Sequence, residues 1–291
     1  MQLSELFRTK KVVYSFEIFP PKRDSSIRTI YDTLDGLYGL QPDFISVTYG
    51  AGGNTADTST ADIASIIKNK YNIEPLAHLT CLTSTRADVD AILKRLRADG
   101  VENILALRGD ENPNAARKDD FLHASDLAAV IRDAGGFDIC GACYPEGHPA
   151  SRDLESDIET LKYKVDAGIS HFISQLFFDN ADFYNFMYHF HAAGLDVPVE
   201  AGIMPVTNRK SIQRIVSLCG ASLPKKFIRI MTKYENDPEA LRDAGIAYAT
   251  EQIIDLVSNG VRGIHLYTMN NPFVARRITE NVGSIIRSLN K

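Results

Sequence analysis

The chain has no run approaching the roughly 20 apolar residues that a membrane span requires. Its first stretch, Met1 to Lys11, is polar and mixed in charge, without the apolar core of a signal peptide. The expectation is a cytoplasmic protein with no membrane partner. Cysteine is scarce: Cys81, Cys140, Cys143 and Cys219 are too few and too scattered for a disulfide framework. Cys140 and Cys143 have the C-x-x-C spacing but fall in a strand-like run, where residues three apart point to opposite faces. They therefore read as buried thiols. Positive charge is not in excess either. The net charge of −5 implies no basic face, which argues against nucleic acid as a partner.

Several common site motifs are also missing. No G-x-G-x-x-G follows the first strand, which counts against a doubly wound dinucleotide-binding sheet. There is no P-loop, no G-x-S-x-G elbow and no H-E-x-x-H pair. The histidines have no metal-ligand spacing; His189 and His191 stand two apart on a helix and face different ways. No metal is expected.

What is present is a large core and a regular rhythm. The chain has 291 residues, 44% of them hydrophobic and 24% charged, enough to bury an extensive interior. Strands are expected at Val12–Ile18, Phe44–Thr48, Leu76–Thr80, Asn103–Leu107, Asp138–Cys143, His171–Leu176, Val199–Ile203 and Gly263–Tyr267. Helical patterns lie between them. In Thr85–Ala98, Val89, Ile92, Leu93 and Leu96 form the i, i+3, i+4, i+7 stripe. Thr85 is placed as its N-cap and Gly100 as its stop. Ser25–Tyr38, Asp157–Ala167, Ala181–Ala193, Asn208–Leu218, Glu239–Ser258 and Pro272–Leu289 read as helices too. Strand followed by helix implies parallel strands with crossovers. Eight such units make an α/β fold, a single (β/α)8 TIM barrel. Leu223–Asp237 is extra and is expected to cap one end. No linker, low-complexity stretch or repeat interrupts the chain, so residues 1–291 read as a single catalytic domain.

Active sites of such barrels lie at the C-terminal ends of the strands, and those positions are polar here. Strand one carries Glu17. Strand two ends in Thr48 and Tyr49, strand three carries His78, and strand four ends in Arg108, Gly109 and Asp110. Tyr144 and His148 follow strand five, and Gln175 lies on strand six. A ring of such residues implies a large polar ligand across the mouth.

Period two puts Val13, Ser15 and Glu17 on one strand face and Val12, Tyr14, Phe16 and Ile18 on the other. The second set should meet the helices, which points Glu17 into the mouth. A carboxyl group deprived of solvent there favours its neutral acid form, which suits a general acid. Pairing with an inward Arg or Lys is the competing, structural reading. Asp110 reads either as a site residue or as a turn cap. His78, alternating with apolar neighbours, reads more readily as a hydrogen-bonded core histidine than as a ligand.

Seven blocks then stand out in order: SFEIFPP (15–21), ISVTYG (45–50), AHLTC (77–81), ALRGD (106–110), YPEGHP (144–149), KVDAG (164–168) and HLYTMN (265–270). Together they resemble the signature blocks of the methylenetetrahydrofolate reductase family, over nearly the whole chain. The resemblance implies FAD across the C-terminal face of the barrel and NADH or NADPH as donor, with NADH preferred. The implied reaction is ping-pong reduction of 5,10-methylenetetrahydrofolate to 5-methyltetrahydrofolate, feeding methionine synthesis. It assigns Glu17 as the acid that opens the folate's five-membered ring. Asp110 becomes the charge near flavin and pterin, and Gln175 a contact to the folate and the donor. It assigns FAD contacts to Thr48, Tyr49, Ala51, His78, Arg108, Gly109, Asp110, Tyr144, His148, Asp157 and Lys164. It also implies a homo-oligomer.

Thr160 and Tyr163 depart from the better-known bacterial pattern, which has Asn and Arg near the FAD tail. Ser211 stands where a folate-contacting Gln is usual, and Asn271 where Arg or Lys is common. Fewer cations predict weaker FAD binding. No regulatory domain that binds S-adenosylmethionine is expected. Alternatives to this reading are a proline-dehydrogenase-like FAD barrel, a pteridine-binding barrel without flavin, and a non-catalytic subunit of a larger redox complex.

Overall fold

The computed structural model describes residues 1–21, 28–49, 58–111, 116–208 and 221–291. Eight parallel strands close into a barrel in sequence order: β1 (Val13–Ile18), β2 (Phe44–Val47), β3 (Glu74–Thr80), β4 (Asn103–Leu107), β5 (Asp138–Cys143), β6 (His171–Ser174), β7 (Val199–Ile203) and β8 (Gly263–Tyr267). The described helices are α1 (Leu6–Thr9), α2 (Arg28–Tyr38), α3 (Thr58–Tyr71), α4 (Arg86–Ala98), α5 (Ala124–Ala134), α6 (Leu154–Asp166), α7 (Asn180–Ala192), α8 (Lys225–Tyr234), α9 (Pro238–Ser258) and α10 (Pro272–Leu289). This is the (β/α)8 barrel expected from the rhythm of the chain. The helix expected at Asn208–Leu218 lies, from residue 209 on, outside the described residues, as does Cys219.

Period two sorts the strand residues as expected. Tyr14, Phe16 and Ile18 pack outward into the layer shared with the helices, and the Tyr14 hydroxyl meets Thr279 Oγ1 of α10 at 3.0 Å. Val13 points inward with Phe44, Leu76, Leu105, Cys140 and Ile173. Cys140 and Cys143 fall on opposite sides of the sheet, one in each apolar layer. The bottom of the barrel is plugged by Leu3, Leu6 and Phe7. The Leu3 and Ser4 amides hold that plug by donating to Asn103 Oδ1 and Asp138 Oδ2, at the starts of β4 and β5. The open end is therefore the C-terminal one.

Helix boundaries follow their caps. Thr85 accepts from the Asp88 amide at 3.2 Å, while Asp88 accepts from the Thr85 amide at 2.8 Å, a reciprocal capping box. Asp153 caps α6 in the same way with Ser156. That helix accordingly starts earlier than expected and places Asp157 in its first turn. The extra segment forms α8, whose Phe227 and Met231 pack on Leu176, Phe178, Met204 and Val206, in the segments that follow β6 and β7. No described helix is long and apolar enough to cross a membrane.

Candidate active site

A cavity of about 1300 Å³ opens at the C-terminal mouth of the barrel. That exceeds the roughly 300–1,000 Å³ of ordinary small-molecule pockets, so two extended ligands could share it. Glu17, Thr48, Tyr49, His78, Arg108, Gly109, Asp110, Tyr144, His148, Asp157, Lys164 and Gln175 all line it. Ala51 and Ser211 lie outside the described residues.

Glu17 sits at the floor. The register pairs it with Ser46 on β2 and Tyr267 on β8, and it is 7% exposed. Its Oε2 lies 3.5 Å from Ser46 Oγ, 3.5 Å from His78 Nε2 and 3.6 Å from His265 Nε2. Among the described residues, its ion-pair-range neighbours are these two histidines and no lysine or arginine. Among the described residues, then, no inward Lys or Arg pairs with it. Burial holds His78 neutral, pushing its pKa down to about 4 against the opposing pull of Glu17. His78 is also not a satisfied core histidine, because its buried Nε2 has no hydrogen-bond partner. Such an orphan inside a cavity calls for a ligand or a water.

The wall formed by the ends of β4 and β5 is cationic and aromatic. Gly109 has φ +87°, and a Cβ there would stand 3.1 Å from Thr80 Cβ, so this turn in the cavity wall favours glycine. Asp110 lines the cavity beside Arg108 and Gly109; no described helix starts at it, and residues 112–115, on which a turn cap would act, lie outside the described residues. Lys164 donates to the Ala142 carbonyl at 2.8 Å; burial lowers its pKa, opposed by Cys143 and Asp157. Tyr144 and His148 meet edge to face with centroids 4.7 Å apart. Burial, followed by Asp110 and Asp157, raises the Tyr144 pKa to about 12. Burial chiefly lowers that of His148. Asp157 ties down the loop between them and α6, accepting from the His148 amide at 3.1 Å and from Ser151 Oγ at 2.8 Å.

The departures have local explanations. Thr160 spends its hydroxyl on the Asp157 carbonyl at 2.6 Å. Tyr163 is 69% exposed at the cavity rim. Asn271 caps α10, accepting from the Val274 amide, while Asn270 bonds both backbone groups of Phe19.

Sequence reasoning missed the polar residues behind Glu17. Ser46 and His265 are buried in the barrel interior with Ser15, and Glu200 joins them from β7. A lone carboxylate in the apolar run Val199–Ile203 was the available signal. Among the described residues, no group of three His, Cys, Asp or Glu could hold a metal ion.

The chain matches the family profile described as methylenetetrahydrofolate reductase over residues 2–283. It is 33% identical over 273 residues to the 5,10-methylenetetrahydrofolate reductase of Pectobacterium carotovorum subsp. carotovorum, covering 94% of this chain and 91% of that protein. It is 35% identical over 294 residues to methylenetetrahydrofolate reductase (NADH) 1 of Arabidopsis thaliana, covering 96% of this chain but 49% of the plant protein, about half its length. Among solved structures, a Clostridium thermocellum protein that binds two copies of 5-methyl-5,6,7,8-tetrahydrofolic acid has a TM-score of 0.69 at 14% identity. That likeness covers 99% of this chain and 100% of the other, and extends to the fold alone.

Proposed function

We propose, from the premise that the chain belongs to the methylenetetrahydrofolate reductase family, that it reduces 5,10-methylenetetrahydrofolate to 5-methyltetrahydrofolate with FAD and NADH in a ping-pong cycle carried by this barrel. The observation that carries the reading is Glu17: a buried carboxyl with no lysine or arginine partner among the described residues, on the floor of a cavity large enough for a flavin and a second ligand.

The residues suit a flavin dinucleotide. The orphaned His78 Nε2 can be satisfied by a polar edge of the ligand. Arg108 and Lys164 supply a fork and a point charge for a diphosphate. Thr48, Tyr49, Tyr144 and His148 line the rest of its bed, and Asp157 fixes the His148 loop. FAD, when bound, supplies the carriage of hydride from nicotinamide to folate.

The chain's own part is protonation and charge. The folate ring must open before hydride can add to its methylene carbon. Glu17 gives its proton to the departing nitrogen as that carbon–nitrogen bond breaks, which leaves an iminium cation on the substrate. Asp110, on the same cavity wall, offers negative charge to that cation. Gln175 orients the folate and the nicotinamide donor in turn. The Gln175 amide donates to the Cys143 carbonyl at 2.7 Å, and its side-chain Oε1 accepts from the Leu176 amide at 2.9 Å, so it is held at the strand end. The relative from C. thermocellum, which binds a methylated folate on the same fold, agrees with this substrate class.

The direct test is steady-state turnover by the isolated, FAD-reconstituted chain. NADH oxidation that depends on methylenetetrahydrofolate supports the reading. NADH oxidation indifferent to the folate, or turnover with proline as reductant, contradicts it.

A further inference from the structure

Behind Glu17 lies a second carboxyl that the reaction above does not use. Glu200 is fully buried on β7, at the level of Gly263 on β8. A Cβ on Gly263 would stand 2.4 Å from Glu200 Cγ, so the glycine makes room for this side chain. Ser15 Oγ lies 2.8 Å from Glu200 Oε2 and 2.7 Å from His265 Nδ1. On the other side of that ring, Ser46 Oγ lies 3.2 Å from His265 Nε2 and 3.5 Å from Glu17 Oε2. Ser15, Ser46, His265 and Glu200 have no solvent exposure at all; only Glu17 reaches the cavity.

We propose that Glu200 is the inner end of a single-file proton path that runs through Ser15, His265 and Ser46 to Glu17, and that it stores the proton Glu17 spends. The proposal rests on the reading of Glu17 as the proton donor. Each link can both give and take a hydrogen, since a hydroxyl and a neutral imidazole each combine a donor with an acceptor. In one end state Glu200 is the acid. It donates to Ser15 Oγ, Ser15 donates to His265 Nδ1, His265 donates through Nε2–H to Ser46, and Ser46 donates to the Glu17 carboxylate. Moving every hydrogen one step along gives the other state, with Glu17 the acid, His265 protonated on Nδ1 and Glu200 a carboxylate accepting from Ser15. One proton crosses, no charge is created, and no water is required. The path matters when ligands fill the mouth and shut Glu17 off from solvent.

The surroundings of Glu200 favour its acid form. Burial raises its pKa to about 8, with the Ser15 bond opposing and Asp43 adding to the rise. From β5 it faces the Cys140 thiol, itself pushed well up by burial and by Glu200. On β6, burial holds His171 neutral with a pKa near 4. No lysine or arginine among the described residues pairs with it. Glu17 faces His78, His265 and Ser46. Glu200 is thus a positioning residue that acts through Glu17.

The test is infrared difference spectroscopy of the ligand-free protein across pH, reading the carbonyl bands of protonated carboxyls. Glu17→Gln and Glu200→Gln assign the bands. The expected result is that Glu200→Gln removes the band that titrates near pH 8 and changes the frequency of the band that Glu17→Gln removes, because one chain of hydrogen bonds joins the two carboxyls. Ser15→Ala, which cuts the path but leaves both carboxyls, should change the frequency of the Glu17 band too, and serves if Glu200→Gln fails to fold. In turnover, Glu200→Gln should change the pH profile of kcat and leave the folate KM in place. A Glu17 band identical in wild type, Glu200→Gln and Ser15→Ala overturns the proposal. A shifted band in a protein that never reduces the folate keeps the path and removes the substrate reading instead.

Discussion

Glu17 Oε2 stands 3.5 Å from His78 Nε2, and the two do not form an ion pair, because burial keeps the imidazole neutral. Among the described residues no lysine or arginine pairs with this carboxyl, and a buried carboxyl of that kind can carry a proton to a substrate.

Replacing that acid should therefore remove one half of the chemistry and spare the other. Glu17→Gln is expected to slow folate reduction by about 10²–10⁴-fold, the usual worth of a general acid. Flavin reduction by NADH should change little. Stopped-flow measurement of the two half-reactions checks this; equal loss in both would point to a structural role.

The neutral buried histidines make a second prediction. His78 and His171 each have a folded-state pKa near 4, below the ordinary value of 6.5. The unfolded chain takes up these protons first. Their contribution to stability is therefore present above pH 6.5 and lost as pH falls from 6.5 towards 4, on the order of 3 kcal/mol for each site. Urea unfolding at a series of pH values should show that slope, and His78→Gln should flatten part of it.

Glu200 should behave in the opposite sense. Its pKa is raised to about 8 from 4.5, so the unfolded chain releases the proton that the folded one keeps. Stability falls as pH rises from 4.5 to 8. Glu200→Gln should be increasingly the more stable protein over that window, by roughly 3 kcal/mol at pH 7. Denaturation midpoints that differ by the same amount at pH 5 and pH 8 would contradict the assignment.

Flavin affinity should respond to the cationic partners that the rim lacks. Thr160 donates to its own helix, and Tyr163 brings no charge to the cavity edge. The double substitution Thr160→Asn, Tyr163→Arg is expected to tighten FAD binding by about tenfold or more, the worth of one charge-assisted contact. Fluorescence titration of the apoprotein with FAD reads this directly. An unchanged dissociation constant would place the FAD tail elsewhere.

The barrel, its strand order and the ring of polar strand ends were legible because period-two alternation and strand-end position are local properties of the chain. Val13, Ser15 and Glu17 face inward simply because they alternate with Tyr14, Phe16 and Ile18. Helix α3 was harder to see, since it opens on Thr58, Ser59 and Thr60, residues with weak helix propensity. The His78 environment was misjudged because its orphaned Nε2 depends on what β1 and β8 place beside it, which no local pattern states. The same holds for Glu200. Its room comes from Gly263 and its partner from Ser15, both far away in sequence, and only closure of the barrel joins them.

The central claim is that one cavity serves both half-reactions, and an anaerobic titration of the FAD-reconstituted protein tests it most directly. NADH should bleach the flavin absorbance, and methylenetetrahydrofolate added afterwards should restore it, with Glu17→Gln stopping at the bleached stage. A flavin that NADH reduces but that the folate leaves bleached in the wild-type protein would contradict the account.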